Sequence, residues 1–325
     1  MKKIRVFEAF SGYGSQSIAL RNIGVDYEVV AISEIDKYAI RAYEAIHGKA
    51  NNLGDISKID IKDIPEHDLF TYSFPCQDIS IAGRQMSLEE GSETRSSLLW
   101  ECKKIIEYCK PKYLLMENVK NLISKKHKPY FDKWLDYLES LEYTNYWKVL
   151  NAKDYRVPQN RERVFVVSIL GEHKPYEFPK PIKLEKRLKD ILEIEIDDKY
   201  YLSEKVQKRF KQTKSDNGEN SIIGTTAPEF RTIGQRDLVY SKEGIMGTLV
   251  ATDYKQPKQI LETIQGDTSI RKLTPRECFR LMGLNDKDID KIQMTKISDT
   301  QQYKLAGNSI VVPVLEEIFK NLFKV

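Results

Sequence analysis

Short apolar runs alternate with amphipathic segments through the first half of the chain. The runs are rich in branched and aromatic residues, whereas 16–23 and 36–47 repeat apolar positions with helical spacing and stop at a glycine. Strands that alternate with helices build a parallel sheet covered on both faces. The pattern predicts an α/β fold with a doubly wound, mostly parallel sheet that binds ligands at its carboxyl-terminal edge. The predicted strands are 4–10, 27–32, 69–74, 113–116, 146–151 and 164–169.

The pattern changes near Pro175. The segment 177–181 has the composition of a linker, and the sequence to about residue 266 contains short, uneven strands with one helical pattern at 203–214. This change predicts a second, smaller domain. The predicted division is a large domain over 1–188 that is completed by 300–325, a smaller domain over 189–275, and a hinge region over 276–299.

Composition is that of an ordinary globular protein. The chain has 325 residues, of which 41% are hydrophobic, so it can bury a core for both domains. A net charge of +4 leaves nucleic-acid binding to local patches. No stretch approaches about 18 consecutive apolar residues, and no apolar leader follows Met1–Arg5. We expect a cytoplasmic protein without membrane contact.

The cysteines are scattered. Cys76, Cys102, Cys109 and Cys278 include no CxxC pair, and the four histidines do not cluster with them. This spacing gives neither a disulfide framework nor a zinc-ligand set, so no metal is expected. It is typical of a protein in reducing surroundings.

A glycine turn separates the first predicted strand from the first helix. Gly12 and Gly14 allow close approach to a ligand, and Glu34 follows about 20 residues later, where a carboxylate can bind ribose hydroxyls. Ser17 occupies the place of the third glycine that a pyrophosphate requires. This disfavours NAD and FAD and favours a nucleoside cofactor without phosphate, such as S-adenosylmethionine. An ordinary strand–helix turn is the alternative.

Two side chains that could take part in catalysis, a thiol and a carboxyl group, follow predicted strands. Cys76 comes after 69–74, where Pro75 interrupts the backbone hydrogen bonding. A thiol at a strand end can be exposed on a rigid support, although a lone cysteine is more often a small buried hydrophobe. Glu117 follows 113–116, where it could give a proton to a base or, alternatively, cap the next segment.

Other polar residues also have two interpretations. Asp55 could accept a hydrogen bond from an adenine amino group, but an aspartate after Gly54 also fits an ordinary turn. Arg161 and Arg163 alternate at a strand start, so both could face one pocket, unless they belong to a solvated charge cluster.

The smaller domain carries side chains suited to nucleic acid. Lys and Arg are clustered over 180–189 and 205–214, where they could bind phosphates. Gln235 and Arg236 have donors and acceptors that can read base edges. A solvated basic surface is the alternative.

The ordered set of motifs is more specific than any one of them. The set is Phe10-Ser11-Gly12-Tyr13-Gly14, Glu34, Asp55, Phe74-Pro75-Cys76-Gln77, Glu117-Asn118-Val119, Gln159-Asn160-Arg161-Glu162-Arg163, Arg271-Lys272-Leu273-Thr274-Pro275-Arg276-Glu277 and Gly307-Asn308-Ser309. In composition and order it resembles the bacterial DNA cytosine-5 methyltransferases of type II restriction-modification systems. The resemblance covers the chain from about residue 4 to its end.

The resemblance implies a Rossmann-like, S-adenosylmethionine-dependent methyltransferase fold and a target-recognition domain. It implies sequence-specific methylation at C5 of a cytosine that is rotated out of duplex DNA. In the family mechanism Cys76 adds to C6, Glu117 protonates or hydrogen-bonds N3 and the amino group, and Arg163 contacts O2. Asn118 and Arg161 hold the site in position.

The resemblance also assigns ligand-binding residues. The loop after Cys76 is implied to close on DNA with Gln77, Ile81 and Gly83. This chain has Ile35 and Ile79 where the family often has aromatic residues, and the first difference would weaken stacking on adenine. The implied cofactor residues are Phe10, Gly12, Gly14, Glu34, Asp55, Pro75, Leu98 and Asn308.

The expected partner is double-stranded DNA, bound by a monomer. A cognate restriction endonuclease would act on the same site without a stable complex. One alternative is a tRNA cytosine-5 methyltransferase on the same scaffold. Another is a DNA-binding relative without catalysis, which the presence of Cys76, Glu117 and Arg163 disfavours.

Overall fold

The computed structural model describes residues 2–74, 98–213, 222–264 and 267–325. The chain divides into two compact units: Met1–Asn151, Glu162–Lys180 and Val314–Val325 form the first, and Ala152–Arg161 and Pro181–Pro313 form the second. Within the described residues the strands are β1 Ile4–Ala9, β2 Tyr27–Ser33, β3 Leu69–Tyr72, β4 Tyr113–Val119, β5 Tyr143–Asn151, β6 Gln159–Asn160, β7 Glu162–Leu170, β8 Lys211–Gln212, β9 Ile222–Thr225, β10 Leu238–Ser241, β11 Met246–Gly247, β12 Gln259–Ile264 and β13 Asp267–Lys272. The α-helices there are α1 Ser15–Asn22, α2 Lys37–His47, α3 Leu99–Cys109, α4 Lys128–Ser140, α5 Glu204–Gln207, α6 Pro275–Arg280, α7 Asp286–Met294, α8 Asp299–Asn308 and α9 Val312–Phe323.

A mixed sheet forms the centre of the first unit. Its described strands have the order β2-β1-β3-β4-β7-β5. The first four run parallel, whereas β7 is antiparallel to both of its neighbours. The predicted α/β fold with a mostly parallel sheet is confirmed, and each predicted strand is present with slightly different ends.

Aromatic side chains fill the core on this sheet. Phe7 of β1 and Phe70 and Tyr72 of β3 are fully buried. Trp134 of α4 is also buried and donates its indole N–H to the Tyr72 hydroxyl at 3.3 Å. Strands that are covered on both faces have continuous apolar sequences, which is why the sequence pattern identifies them.

The second unit contains a smaller sheet, with described strands in the order β13-β12-β10-β9-β8. Ile223, Val239 and Ile270 form its apolar cluster. The prediction of a helix over 203–214 is wrong, because α5 is only four residues long and β8 pairs with β9. Tertiary pairing has overridden a local helical preference.

A buried cation ties β12 and β13 to α6. The Arg271 guanidinium is fully buried and binds the carboxylates of Glu262 and Glu277 at 2.7–2.8 Å. A buried charge is tolerated when its partners satisfy its donors, as these two carboxylates do. The arginine of this sequence motif therefore has a structural role in the second unit.

The unit boundaries differ from the predicted domain boundaries. Residues 276–313 lie in the second unit, whereas the sequence pattern predicts that 300–313 belongs to the large domain. The reason is close packing of α8 on the 3-10 helix Ala251–Lys255, where a β-carbon at Gly307 would lie 2.5 Å from the Ala251 nitrogen. The functional division into catalytic, target-recognition and hinge regions stays a prediction.

None of the described helices combines the length and the apolar character needed to cross a membrane.

Candidate active site

The carboxyl ends of β1, β2, β3 and β4 lie along one edge of the sheet, because these neighbouring strands are parallel. Phe10 and Gly12 follow β1, Glu34 follows β2, Phe74 follows β3, and Asn118 is near the end of β4. The fold thus places Phe10, Gly12, Glu34 and Asn118 at neighbouring strand ends, as the sequence pattern indicates.

The turn after β1 depends on left-handed backbone conformations. Phe10, Gly12 and Gly14 have φ values of 55°, 58° and 82°. Glycine adopts this region without the steric cost that a side chain brings, whereas Phe10 bears that cost. Gly14 also leaves no room for a side chain, since a β-carbon would lie 2.5 Å from His47 Nε2.

The Glu34 carboxylate organises the backbone at this edge. Its Oε2 accepts a hydrogen bond from the Gly12 N–H at 3.0 Å, and its Oε1 accepts from the N–H groups of Ile35 and Asp36 at 2.8 and 2.9 Å. A carboxylate oxygen can accept two hydrogen bonds, so Oε2 retains capacity for a hydroxyl donor. These contacts fit the predicted ribose-binding role.

Asn52 joins Glu34 to the loop that carries Asp55. Its Oδ1 accepts from the N–H groups of Glu34 and Gly54 at 3.1 and 3.0 Å, and its Nδ2 donates to the Glu34 carbonyl at 3.0 Å. One side chain therefore fixes two loops. The sequence reasoning overlooked Asn52, whose signal is its position two residues before the Gly54-Asp55 corner.

Asp55 has the contacts of a helix-capping aspartate. It precedes the 3-10 helix Ile56–Lys58 and accepts hydrogen bonds from Ser57 N–H at 3.1 Å and from the Ser57 hydroxyl at 2.8 Å. These bonds lower the pKa of the Asp55 carboxyl, so the group stays ionised. The turn interpretation explains these contacts, and the adenine contact stays a prediction.

A buried carboxyl group links β1 to α1 next to the glycine turn. Glu8 is completely buried and accepts a hydrogen bond from Ser17 Oγ at 2.7 Å. Burial raises the pKa of Glu8 from 4.5 to about 7, although hydrogen bonds from Ser17 and Tyr43 act in the opposite direction. In the sequence, Ser17 stands out only because it occupies the place of a third glycine, and nothing there singles out Glu8.

Replacing Glu8 with glutamine should remove a pH-dependent loss of stability. Folded Glu8 keeps its proton up to about pH 7, whereas the group ordinarily loses it near 4.5. Wild-type stability therefore falls as the pH rises through that interval, by about 3 kcal/mol in total. The free energy of unfolding in urea, measured for wild type and Glu8→Gln from about pH 4 to about pH 8, gives this difference.

Glu28→Gln is the matched control, because Glu28 is exposed on the neighbouring strand β2. The difference in unfolding free energy between wild type and Glu8→Gln should change with pH, and that between wild type and Glu28→Gln should not. Parallel pH curves for wild type and Glu8→Gln would mean that buried Glu8 ionises normally.

Asn118 holds the end of the segment that leads to Cys76. Its buried side chain donates from Nδ2 to the Phe74 carbonyl at 3.1 Å and accepts at Oδ1 from Val119 N–H at 2.8 Å. Both contacts fix backbone, which suits the positioning role that the resemblance implies.

Leu98, the first residue described after Phe74, precedes α3 and packs against the core. The predicted residues Pro75, Cys76, Gln77, Ile81 and Gly83 lie outside the described residues.

Glu117 and Arg163 form an ion pair across the neighbouring strands β4 and β7. Arg163 Nε lies 3.1 Å from Glu117 Oε1, and the two side chains are only 15% and 11% exposed. Arg163 also donates from Nη1 to the Glu162 carbonyl at 2.8 Å. Water screens such a sheltered pair weakly, so both charges can act strongly on an adjacent polar ring. The structure thus brings two predicted catalytic residues together, and Glu117 lies inside a strand and caps no helix.

Arg161 binds a different kind of group from Arg163. Its buried guanidinium donates to the backbone carbonyls of Leu249, Gly307 and Ser309 at 2.6, 3.2 and 2.7 Å. Whereas Arg163 pairs with a carboxylate, Arg161 fixes backbone within the second unit. Arg161 lies between β6 and β7, outside the regular alternation of one strand. A common pocket for the two arginines stays a prediction.

The other predicted ligand-binding residues lie in the second unit. Asn308 is the exposed last residue of α8, and the Arg161 contacts flank it. Gln235 and Arg236 are exposed on the 3-10 helix Gln235–Asp237. Their exposure leaves these side chains accessible to a ligand.

The chain is similar to known proteins over nearly its whole length. The model of the C-5 cytosine-specific DNA methylases matches residues 4–324. The chain belongs to this family. The type II methyltransferase M2.ScrFI of Lactococcus lactis subsp. cremoris is 42% identical over an alignment of 378 positions that covers 99% of both chains. The orphan methyltransferase M.SPBetaI of Bacillus phage SPbeta is 31% identical, over 99% of this chain and 98% of that protein. The crystal structure of the S. pombe Dnmt2 methyltransferase has a TM-score of 0.74 at 20% identity and covers 99% of each chain.

The protein is thus a DNA (cytosine-5-)-methyltransferase with relatives in type II restriction-modification systems. Methyltransferases of this family and fold use S-adenosylmethionine as the methyl donor. The predictions of family, fold class and enzymatic activity are confirmed.

Proposed function

We propose that the enzyme methylates one cytosine within a specific duplex sequence through a covalent bond between Cys76 Sγ and C6 of that cytosine. The Glu117–Arg163 ion pair supports this most directly, because it joins an acid on β4 to a cation on β7. Glu117 directly precedes Asn118, whose side chain donates to the carbonyl of Phe74. Phe74 stands two residues before Cys76 in the sequence. The nucleophile and the groups that act on the ring therefore start from adjacent strands.

The reaction needs the thiolate because C5 of cytosine is a poor nucleophile. Addition of Sγ to C6 moves the C5–C6 electron pair toward C5, while a protonated Glu117 gives its proton to N3 and Arg163 stabilises charge at O2. C5 then takes the methyl group as the bond between that group and the donor sulfur breaks. A base removes the C5 proton, the N3 proton returns to Glu117, and the returning electron pair expels Cys76. The ring is restored with one methyl group added and one proton lost.

The methyl donor fits the strand ends of the first unit. S-adenosylmethionine, when bound, supplies an electrophilic methyl group. Glu34 has acceptor capacity on Oε2 for a ribose hydroxyl, and ionised Asp55 can accept from an adenine amino group. The other proposed cofactor residues are Phe10, Gly12, Gly14, Pro75, Leu98 and Asn308.

Thiolate attack on C6 and methyl transfer to C5 require access to the faces of the ring, which a stacked duplex does not provide. We therefore infer that the target cytosine is rotated out of the helix. Gln77, Ile81 and Gly83 are proposed to contact DNA after Cys76, and Gln235 and Arg236 are proposed to read base edges. Relatives that are named type II and orphan methyltransferases support DNA as the substrate. The enzyme is proposed to bind duplex DNA as a monomer. A companion endonuclease would act on the same site without a stable complex.

Expression in a host without cytosine methylation tests this function. Bisulfite sequencing of the host DNA should reveal 5-methylcytosine in one short recurrent sequence. Soluble protein that leaves the DNA unmodified would contradict the proposal. Methylation confined to tRNA would replace DNA with RNA as the substrate.

A further inference from the structure

The loop between β9 and β10, residues 226–237, is closed and rigid at its base. The Thr226 N–H donates to the Asp237 carbonyl at 2.9 Å. The Thr226 hydroxyl donates to Gln259 Oε1 at 2.9 Å. Both ends of the 226–237 loop are therefore fixed to the small sheet.

A buried carboxylate fixes the interior of the 226–237 loop. Asp237 is 2% exposed; its Oδ1 accepts from Arg231 Nη2 at 2.6 Å and its Oδ2 accepts from Gly234 N–H at 2.9 Å. These two bonds satisfy a charge that would be costly to bury alone. They also hold the residues between 231 and 234 in one conformation.

Two amide side chains direct the next residues outward. Gln256 and Gln259 both donate to the Arg236 carbonyl, at 3.0 and 2.8 Å. With that backbone anchored, the side chains of Gln235 and Arg236 are exposed. The loop therefore presents an amide and a guanidinium on a fixed support.

The same loop leaves apolar side chains in water. Phe230 is 90% exposed and Ile233 is 52% exposed. Burial of either side chain would be favourable, and the free chain leaves both exposed to water. A rigid loop that exposes an aromatic ring beside guanidinium groups has the form of a preorganised contact surface.

We propose that the 226–237 loop is a DNA contact in which Phe230 and Ile233 pack against bases while Arg231, Gln235 and Arg236 bind base edges and phosphates. This inference rests on the proposed function. In a duplex groove, aromatic rings and aliphatic groups pack on the thymine methyl group, and guanidinium and amide groups match guanine and adenine edges. Phe230, Ile233 and Arg231 thereby join the target-reading residues, and Asp237 positions them.

Charge favours DNA over a protein partner. The Glu229 carboxylate lies 2.7 Å from Lys211 Nζ, and the Asp237 carboxylate is buried against Arg231. Both acidic groups of the 226–237 loop are thus neutralised by cations, and Arg236 adds a further positive charge. Together with Lys211, the 226–237 loop has three cations and two carboxylates, and this balance of one positive charge favours a polyanion.

Phe230→Ala tests the inference, with Ile194→Ala as the matched control. Ile194 is a fully exposed aliphatic residue of the second unit outside the 226–237 loop. Steady-state kinetics on a duplex containing the sequenced target should show KM for DNA raised by about 10-fold in Phe230→Ala. KM for S-adenosylmethionine and the urea midpoint should stay unchanged, because an exposed ring adds little stability. Phe230→Tyr, which retains the ring, should restore the wild-type KM.

The outcomes separate this inference from the proposed function. If wild type neither binds nor methylates duplex DNA, the proposed function fails and the loop assignment fails with it. If wild type methylates DNA and Phe230→Ala matches it, the loop assignment alone is overturned. An equal rise in KM for DNA in Ile194→Ala would also overturn the loop assignment. A change in the sedimentation of Phe230→Ala without a change in KM would overturn it as well, since the ring would then contact a second copy of the chain.

Discussion

Cys76→Ala should lose methyl transfer by at least about 10⁴-fold while duplex binding stays near the wild-type level. Alanine removes the sulfur that adds to C6, and without that addition C5 has no electron pair to offer to a methyl group. Phosphate and base contacts do not use the thiol, so DNA affinity should be retained. Single-turnover transfer of a labelled methyl group measures the first quantity, and fluorescence anisotropy with a labelled duplex measures the second.

Cys109→Ala is the control for this substitution. Cys109 lies at the end of α3, and burial raises the pKa of its thiol to about 11, so it stays protonated and is a poor nucleophile. Its replacement should leave methyl transfer within about two-fold of wild type.

A second measurement detects the covalent bond itself. A duplex with fluorine at C5 of the target cytosine should trap wild type as a covalent complex, because the final step cannot release fluorine as it releases a proton. The complex should survive denaturing electrophoresis for wild type and Cys109→Ala, and be lacking for Cys76→Ala. Turnover retained in Cys76→Ala would remove this sulfur from the mechanism.

The sequence predicts the parts of the molecule that follow from local periodicity. β1 and α2 appear within a residue or two of their predicted positions, because apolar spacing and terminating glycines act locally. The prediction of a 203–214 helix is wrong for the opposite reason, since the pairing of β8 with the next strand, β9, decides the structure there. Pairing with another strand leaves little trace in the local pattern of one segment.

The candidate site likewise contains some residues that the sequence identifies and others that it does not. Glu34 and Glu117 could be found because each follows a recognisable apolar run in the sequence, and the family resemblance assigns them roles. Asn52 and Glu8 could not, because their importance lies in contacts to backbone groups and side chains that only the folded chain brings together. The same is true of Arg161, whose three carbonyl partners are at least 88 residues away in sequence.

Glu117→Gln should lower the rate of methyl transfer by about 10²- to 10⁴-fold. Glutamine has nearly the same shape as glutamate but no proton to give to N3, so the negative charge that builds on the ring during thiolate addition is not neutralised. Arg163 also loses its counter-charge at 3.1 Å, and its guanidinium becomes free to bind the ring or the Glu117→Gln amide oxygen. Single-turnover kinetics with saturating DNA and S-adenosylmethionine measures the rate.

Glu162→Gln controls for removal of a carboxylate nearby. Glu162 begins β7 and pairs with Lys120 on the surface at 3.0 Å, so its replacement should leave the rate within about two-fold of wild type. Urea midpoints separate a slower reaction from a less stable fold, because loss of the Glu117 charge leaves a sheltered arginine without its ion-pair partner.

The rate at which Glu117→Gln is trapped by the fluorinated duplex depends on the step of the reaction that Glu117 assists. If the Glu117 proton assists sulfur addition, Glu117→Gln should form the covalent complex more slowly by the same factor that slows methyl transfer. Fast trapping with slow methyl transfer would move the role of Glu117 to a later step. A normal rate in both assays would mean that the ion pair with Arg163 is structural, and that the ring is neutralised by another group.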